Sequence, residues 1–347
     1  LSMVPMEDRA WDIIKRVYDQ LAETELGSLD KGELNTSWSP TAETLNAHPE
    51  LIAQLHSVLD RPVLGMPTLE LGVDGDDDPE EAMLLVGVLL PHITMIRVES
   101  ELLVLDTQRA ARQNELDRVI TNLRTLQQLG NLVSILDTLI EGLVTIKIDQ
   151  HMHGLVLGGT IGLESWDDDA LDSLAMLYNA PSAWKPVRRF IQGDQAIYEN
   201  FLAWVYEDSV DGHLSLNGAK RLLRFVRDEE PDELLARSIQ NGVKQREDQE
   251  QLMVSIKQAG IQDLTEPITG KPELITRRMM NKNSPLSPAH HGLSYMPAAI
   301  IIPALDQFTE RVLDARAKRD AAILLIAIHR HRDRHGTWPQ SITDLDN

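Results

Sequence analysis

The sequence predicts an all-α fold of packed antiparallel helical hairpins, extendable into an irregular α-solenoid, with a long C-terminal helix. Three observations carry that expectation. Apolar residues recur at i, i+3, i+4 and i+7 over long stretches, the signature of one buried helix face. Leu, Ile, Ala and Met fill the apolar set and aromatics are only 4%, a mixture whose straight side chains lose little rotamer freedom in a helix. A short connection at Gly130-Asn131 joins two long periodic stretches, which makes them an antiparallel hairpin.

From the N-terminus, Glu7–Leu26 carries Trp11, Ile14, Val17, Tyr18 and Leu21 at helical spacing, and 27–37 is a polar connector. Ser39-Pro40 offers an N-cap and a helix-first proline. His48-Pro49 opens a short helix bearing Leu51, Ile52, Leu55 and Leu59, followed by a Pro/Gly-rich ordered loop over 61–75. In Asp74–Glu81, Asp78 reads as an N-cap, Pro79 as the first helical residue, and Glu80 and Glu81 as anions favoured by the helix dipole. Helical pattern runs from about Glu81 to Gln128 with a break near Pro91, and Leu102, Leu105, Leu116, Val119, Leu123 and Leu126 form its stripe.

The second hairpin helix, Leu132 to about Gly154, repeats the pattern with Ile135, Leu139, Leu143 and Ile146. Gly158–Gly162 is a glycine-rich stop. Ser165 and Asp168 resemble a capping box before Leu171, Leu174 and Leu177. After a linker at Pro181–Pro186, helices are predicted over Val187–Tyr206, Asn217–Arg227 and the highly charged Asp232–Ala259. Ile261–Pro297 lacks periodicity. The last helix, about Pro303 to His335, would span roughly 50 Å, ending at Gly336 with Pro339 just beyond. The chain thus divides into short helices and a loop over 1–80, a hairpin core over 81–260, an irregular connector over 261–300, and the long helix with its cap over 301–347.

The formal net charge is −21, a field that repels phosphate backbones and anionic lipid, so no nucleic-acid partner is expected. The absence of cysteine removes disulfides, thiolate metal sites and thiol nucleophiles. No signal peptide is visible at Leu1–Met6, and no apolar run reaches transmembrane length. The opening residues read as a junction, compatible with an anchor preceding them.

No motif carries a catalytic activity. The glycines at 154, 158, 159 and 162 follow a helix, whereas a nucleotide-binding glycine turn follows a strand. Ser28-x-x-Lys31 lacks the partner motifs of a serine acylase, and Gly270-Lys271 lacks the upstream glycine of a phosphate loop. No cofactor is expected. Two sets of residues stand as weak metal candidates. Asp208, Asp211 and Gly212 imitate part of a calcium loop, but Gly218 stands where the bidentate carboxylate belongs. His331 and His335 lie one helical turn apart, between Arg330, Arg332 and Arg334, which would repel a cation. Basic residues in a last turn are also what the helix dipole selects.

The run from Arg319 through HRHRDRH to Gly336-Thr-Trp338-Pro339-Gln-Ser-Ile342 and Leu345 resembles a bacterial pattern: an apolar helix, a basic turn, then glycine, an aromatic residue and proline. It is similar to a family of uncharacterised, singly anchored envelope proteins, and a related pattern follows the long helix of type II secretion major pseudopilins. Val4-Pro5-x-Glu7-Asp8-x-Ala10-Trp11, Asn131–Leu177 and Gly193–Ser215 also resemble the envelope family. The resemblance implies an extracytoplasmic helical domain behind an N-terminal anchor, and no activity. Here no anchor is present, and the chain stops at Asn347 where relatives usually continue.

Physically, Gly336 permits a left-handed stop, Pro339 prevents continuation, and Trp338, Ile342 and Leu345 are expected to fold back as an apolar cap. Function therefore stands as a non-enzymatic envelope interaction or scaffold protein. One alternative is a hydrolase or cation-dependent enzyme assembled from distant helices. Another is a small-ligand binder using the loop near His290, His291 and Tyr295.

Overall fold

The computed structural model describes residues 8–24, 45–65, 91–133, 138–179, 187–227, 233–265 and 296–345. Of the described part 80% is helical, and there is no strand, only two isolated bridges, so the class is all-α. The expected segments around Ser28, Ser39-Pro40, Asp74–Glu81, Pro181–Pro186, Gly270 and His290 lie outside the described residues.

Helix α1 (Trp11–Ala22) buries Trp11, Ile14, Val17 and Leu21, the stripe its spacing predicts. Its entry is tied to the chain ahead, with Ala10 and Trp11 N–H donating to the Val63 and Leu64 carbonyls. Helix α2 (Pro49–His56) starts on its proline, where the missing N–H costs nothing. It buries Leu51, Ile52 and Leu55.

Helices α3 (Pro91–Arg112) and α4 (Leu116–Leu132) form the first hairpin. The long pattern is broken at 113–115, where Asn114 takes a left-handed φ of 58° that asparagine tolerates. The predicted Gly130-Asn131 turn is instead inside α4. Gly130 lies within van der Waals reach of Thr145 and Ile148, and its carbonyl accepts from the Thr145 hydroxyl, so packing overrides its turn preference. Helix α5 (Leu139–Leu157) begins seven residues after the expected start at Leu132. Its start is a complete capping box: Thr138 Oγ1 accepts from Glu141 N–H and Glu141 Oε2 accepts from Thr138 N–H.

The glycine stop holds Gly159 and Gly162 at φ of 69° and 59°. Helix α6 (Asp168–Asn179) follows, but its cap is Asp167, whose Oδ1 accepts from Ala170 N–H. Ser165 bonds back to the Gly162 carbonyl, which takes it out of the capping position.

Helices α7 (Val187–Val205) and α8 (Leu216–Arg227) approach closely at Gly218, where a Cβ would sit 2.1 Å from the Val205 carbonyl oxygen. The predicted Asp232–Ala259 helix is two, α9 (Glu233–Gly242) and α10 (Arg246–Thr265), because Asn241-Gly242 stops the first. The last helix, α11 (Met296–His335), starts seven residues before Pro303 and has 40 residues, about 60 Å.

The buried apolar residues form two clusters. One draws on α1–α6 and on Ala322 and Ile326 of α11. The other draws on α7–α10, on Leu139 and Ile146 of α5, and on Phe308, Val312 and Ala315 of α11. Helices α5 and α11 therefore run through both. They lie parallel, with Gly142 facing Phe308 and Gln150 donating to Asp314. At Gly142 a Cβ would meet Phe308 at 2.6 Å and Phe190 at 3.0 Å, so glycine lets the ring in. The return of α11 onto α5, α6, α7 and α10 closes the arrangement on itself.

Candidate functional site

Two places gather chemistry-bearing side chains. The first is a line of buried polar groups through α3, α4 and α5. Asp106, fully buried, accepts from Arg118 Nε and Nη2 at 2.8 Å and from Asn122 Nδ2 at 2.8 Å. Arg109 lies 3.5 Å from the same carboxylate and donates to Asn46, while the His56 ring sits 2.6 Å from the Asn122 amide oxygen. This lattice joins α2, α3 and α4. Further along, His92 Nε2 is 3.2 Å from Glu141 Oε1, both fully buried.

Glu99 has no exposed surface, and among the described residues neither carboxyl oxygen has a partner. Burial pushes its pKa well above the usual carboxylate range. On α5, His153 is also buried, and among the described residues both its ring nitrogens lack a hydrogen-bond partner. Burial, helped by Arg319 and Lys318, lowers its pKa to about 4. These groups are perturbed, yet no solvent reaches them, and among the described residues no three His, Asp or Glu side chains converge as a metal site. The lattice therefore reads as structural.

The second place is an open cavity of about 450 Å³ between α6 and α11, closed at one side by the short turn Ile342–Asp344. Its apolar walls include Ala175, Ile323, Leu324, Ala327, Ile342 and Leu345. Leu324 is 37% exposed and Ile342 74%, so this is surface left uncovered. Tyr178 forms part of the floor. Its hydroxyl donates to the Met152 carbonyl, and its ring lies 5.4 Å from His153. Asp320 and Arg330 are the charged residues of the wall.

The C-terminal motif lies beside this groove. Gly336 takes φ 70°, and its N–H donates to the Arg332 carbonyl. Trp338 turns back toward the helix but stays 50% exposed, unlike the expected buried cap. It rests on polar side chains, Arg332 at 4.7 Å from its ring and the His329 ring at 5.5 Å, because the last turn of α11 offers no apolar face there. Pro339 is half-buried and Ile342 largely exposed. The turn is held by Asp344, whose carboxylate accepts from Ser341 and Gln340 N–H. Those two backbone bonds, Ser341 first, lower its pKa.

The residues of the two weak metal candidates make ring and ion-pair contacts. His331 and His335 stack with ring centroids 4.4 Å apart. The arginines around them are engaged: Arg330 pairs with Asp172, Arg334 bridges Asp168 and Asp172, and Arg332 donates to the Glu164 carbonyl. Asp208 pairs with Arg221 at 3.3 Å. Asp211 and Gly212, at φ of 50° and 74°, form the turn between Val210 and His213.

Family models, curated proteins and solved structures gave no match to the chain. Among the described residues, no helix is long and apolar enough to cross a membrane.

Proposed function

We propose that this protein is a non-enzymatic interaction or scaffold protein whose contact surface is the α6–α11 groove. The observation that carries the reading is an open, apolar concavity with exposed Leu324 and Ile342 in its lining. Apolar surface of this kind on a strongly charged protein marks a place where a partner removes it from water. The enzyme alternative draws less support, because the buried Glu99 and His153 lie outside the groove and the Tyr178 hydroxyl in its floor is spent on the Met152 carbonyl. The envelope location rests on the sequence resemblance of the Arg319–Leu345 run, and we place the protein there as part of the same proposal.

The cysteine-free, groove-bearing chain is tested by placing a photo-crosslinking residue at Leu324 and, as a control, at exposed Val210, in the native cells. A discrete adduct at Leu324, absent at Val210 and lost on Ala327→Glu, is the expected result. No adduct at Leu324, or equal adducts at both positions, rejects the groove as the contact surface.

A further inference from the structure

We propose that the partner segment which fills the α6–α11 groove is a cationic amphipathic helix of two to three turns. The inference rests on the groove reading above and adds the chemistry of the occupant. Length comes first. From Asp320 to Arg330 the floor follows ten residues of α11, about 15 Å, which is two to three turns of a docked helix. The walls are two helices and a short turn, a shape that accepts the apolar face of a helix as a third rod.

Charge decides the rest. At the Arg330 end the charges are already matched. Arg330 pairs with Asp172, and Arg334 bridges Asp168 and Asp172. At the other end Arg319 turns inward. It donates to the Tyr178 carbonyl and depresses the pKa of buried His153. Lys318 is paired with Asp314 on the neighbouring turn. Asp320 is exposed, lines the groove, and among the described residues has no ion-pair partner. Asp344, on the turn that closes the third side, spends its carboxylate on the Ser341 and Gln340 N–H groups and is not part of the groove lining. The uncompensated charge of the groove lining, among the described residues, is therefore the Asp320 carboxylate, on a chain of net charge −21. A cationic segment is attracted by this field, and an acidic one is repelled.

The test uses three fluorescent model peptides with the same leucine stripe, long enough for about three turns. Their polar positions are all Lys, all Gln or all Glu, and binding to the unmodified protein is read by anisotropy. The Lys peptide is expected to bind saturably and most tightly. Leu324→Glu should abolish that binding. Asp320→Asn should weaken the Lys peptide roughly two- to fivefold, as one exposed charge pair does, and leave the Gln peptide unchanged. Asp60→Asn, at an exposed acid outside the groove, should change neither. If the Gln peptide binds as tightly as the Lys peptide and Leu324→Glu abolishes both, the groove stands and its cationic preference is overturned. If no peptide saturates, or Leu324→Glu has no effect, the groove reading falls and takes this inference with it.

Discussion

Replacing Glu99 with methionine should stabilise the protein at neutral pH. Glu99 sits in α3 with no exposed surface, and among the described residues both carboxyl oxygens lack a hydrogen-bond partner. An unsatisfied buried polar group costs about 1–3 kcal/mol, and methionine has nearly the same length and volume without that cost. Glu99→Met should therefore gain about 1–3 kcal/mol, read as a higher urea midpoint at pH 7 with unchanged m-value. The pH dependence gives an independent check. Burial raises the folded pKa of Glu99 above that of the unfolded chain. The stability linked to this group is thus fully present below the unfolded pKa. It is lost as pH rises through the folded pKa. Glu99→Gln cannot ionise, so its stability relative to the parent should grow as pH rises above the ordinary glutamate range. A Glu99→Met protein that is less stable at pH 7, or a Glu99→Gln difference that is flat with pH, would refute the reasoning and show that the carboxyl is ionised and paired.

Other outcomes follow from the same coordinates. His153 has a folded pKa lowered to about 4, so stability linked to it is lost as pH falls from the ordinary histidine value through about 4. His153→Phe should remove up to about 3 kcal/mol of that acid loss, measured by urea unfolding at stepped pH; identical acid slopes would contradict it. Trp338→Ala should cost only about 1 kcal/mol, the scale of an exposed cation–π contact, because Trp338 is half exposed. A loss of several kcal/mol in thermal unfolding would mean that the indole is buried after all. Gly142→Ala should destabilise by roughly 1–3 kcal/mol through the clash with Phe308 and Phe190. A stabilised variant would show that helix propensity outweighs the close approach.

The fold class was legible because local signals agree with global packing over most helices. The α1 stripe, the start of α2 at Pro49 and the glycine stop at 158–162 each follow from residues within one or two turns. The misplaced boundaries have a common cause. Gly130-Asn131 looks like a turn until Thr145 and Ile148 pack against it, and those contacts belong to a later helix. By contrast, the stops at Asn114 and Asn241-Gly242 and the Thr138-x-x-Glu141 capping box are local signals that the sequence carries and that the helical periodicity on either side masks. The buried lattice around Asp106 was invisible because its contacts between α3, α4, α2 and the residue Asn46 ahead of α2 join positions 12 to 66 residues apart in sequence.

The groove was hidden for a different reason. Residues 321–328 of α11 are apolar on every side, a pattern that reads as complete burial. Complete burial needs neighbours all round, and whether they exist depends on the lengths of distant helices. Ala322 and Ile326 point into the first cluster and are buried. Ile323, Leu324 and Ala327 face the space beside α6, which has only 12 residues, about 18 Å, and stops at Asn179. The short turn at Ile342–Asp344 reaches back along the same side but leaves Ile342 largely exposed, so it narrows the groove without filling it. An all-apolar run on a helix covered by a shorter one leaves a face in water, with no local sequence signature to mark it. The same run is what gives a binding partner apolar area to bury, so the feature least legible in the sequence is the one on which the functional proposal rests.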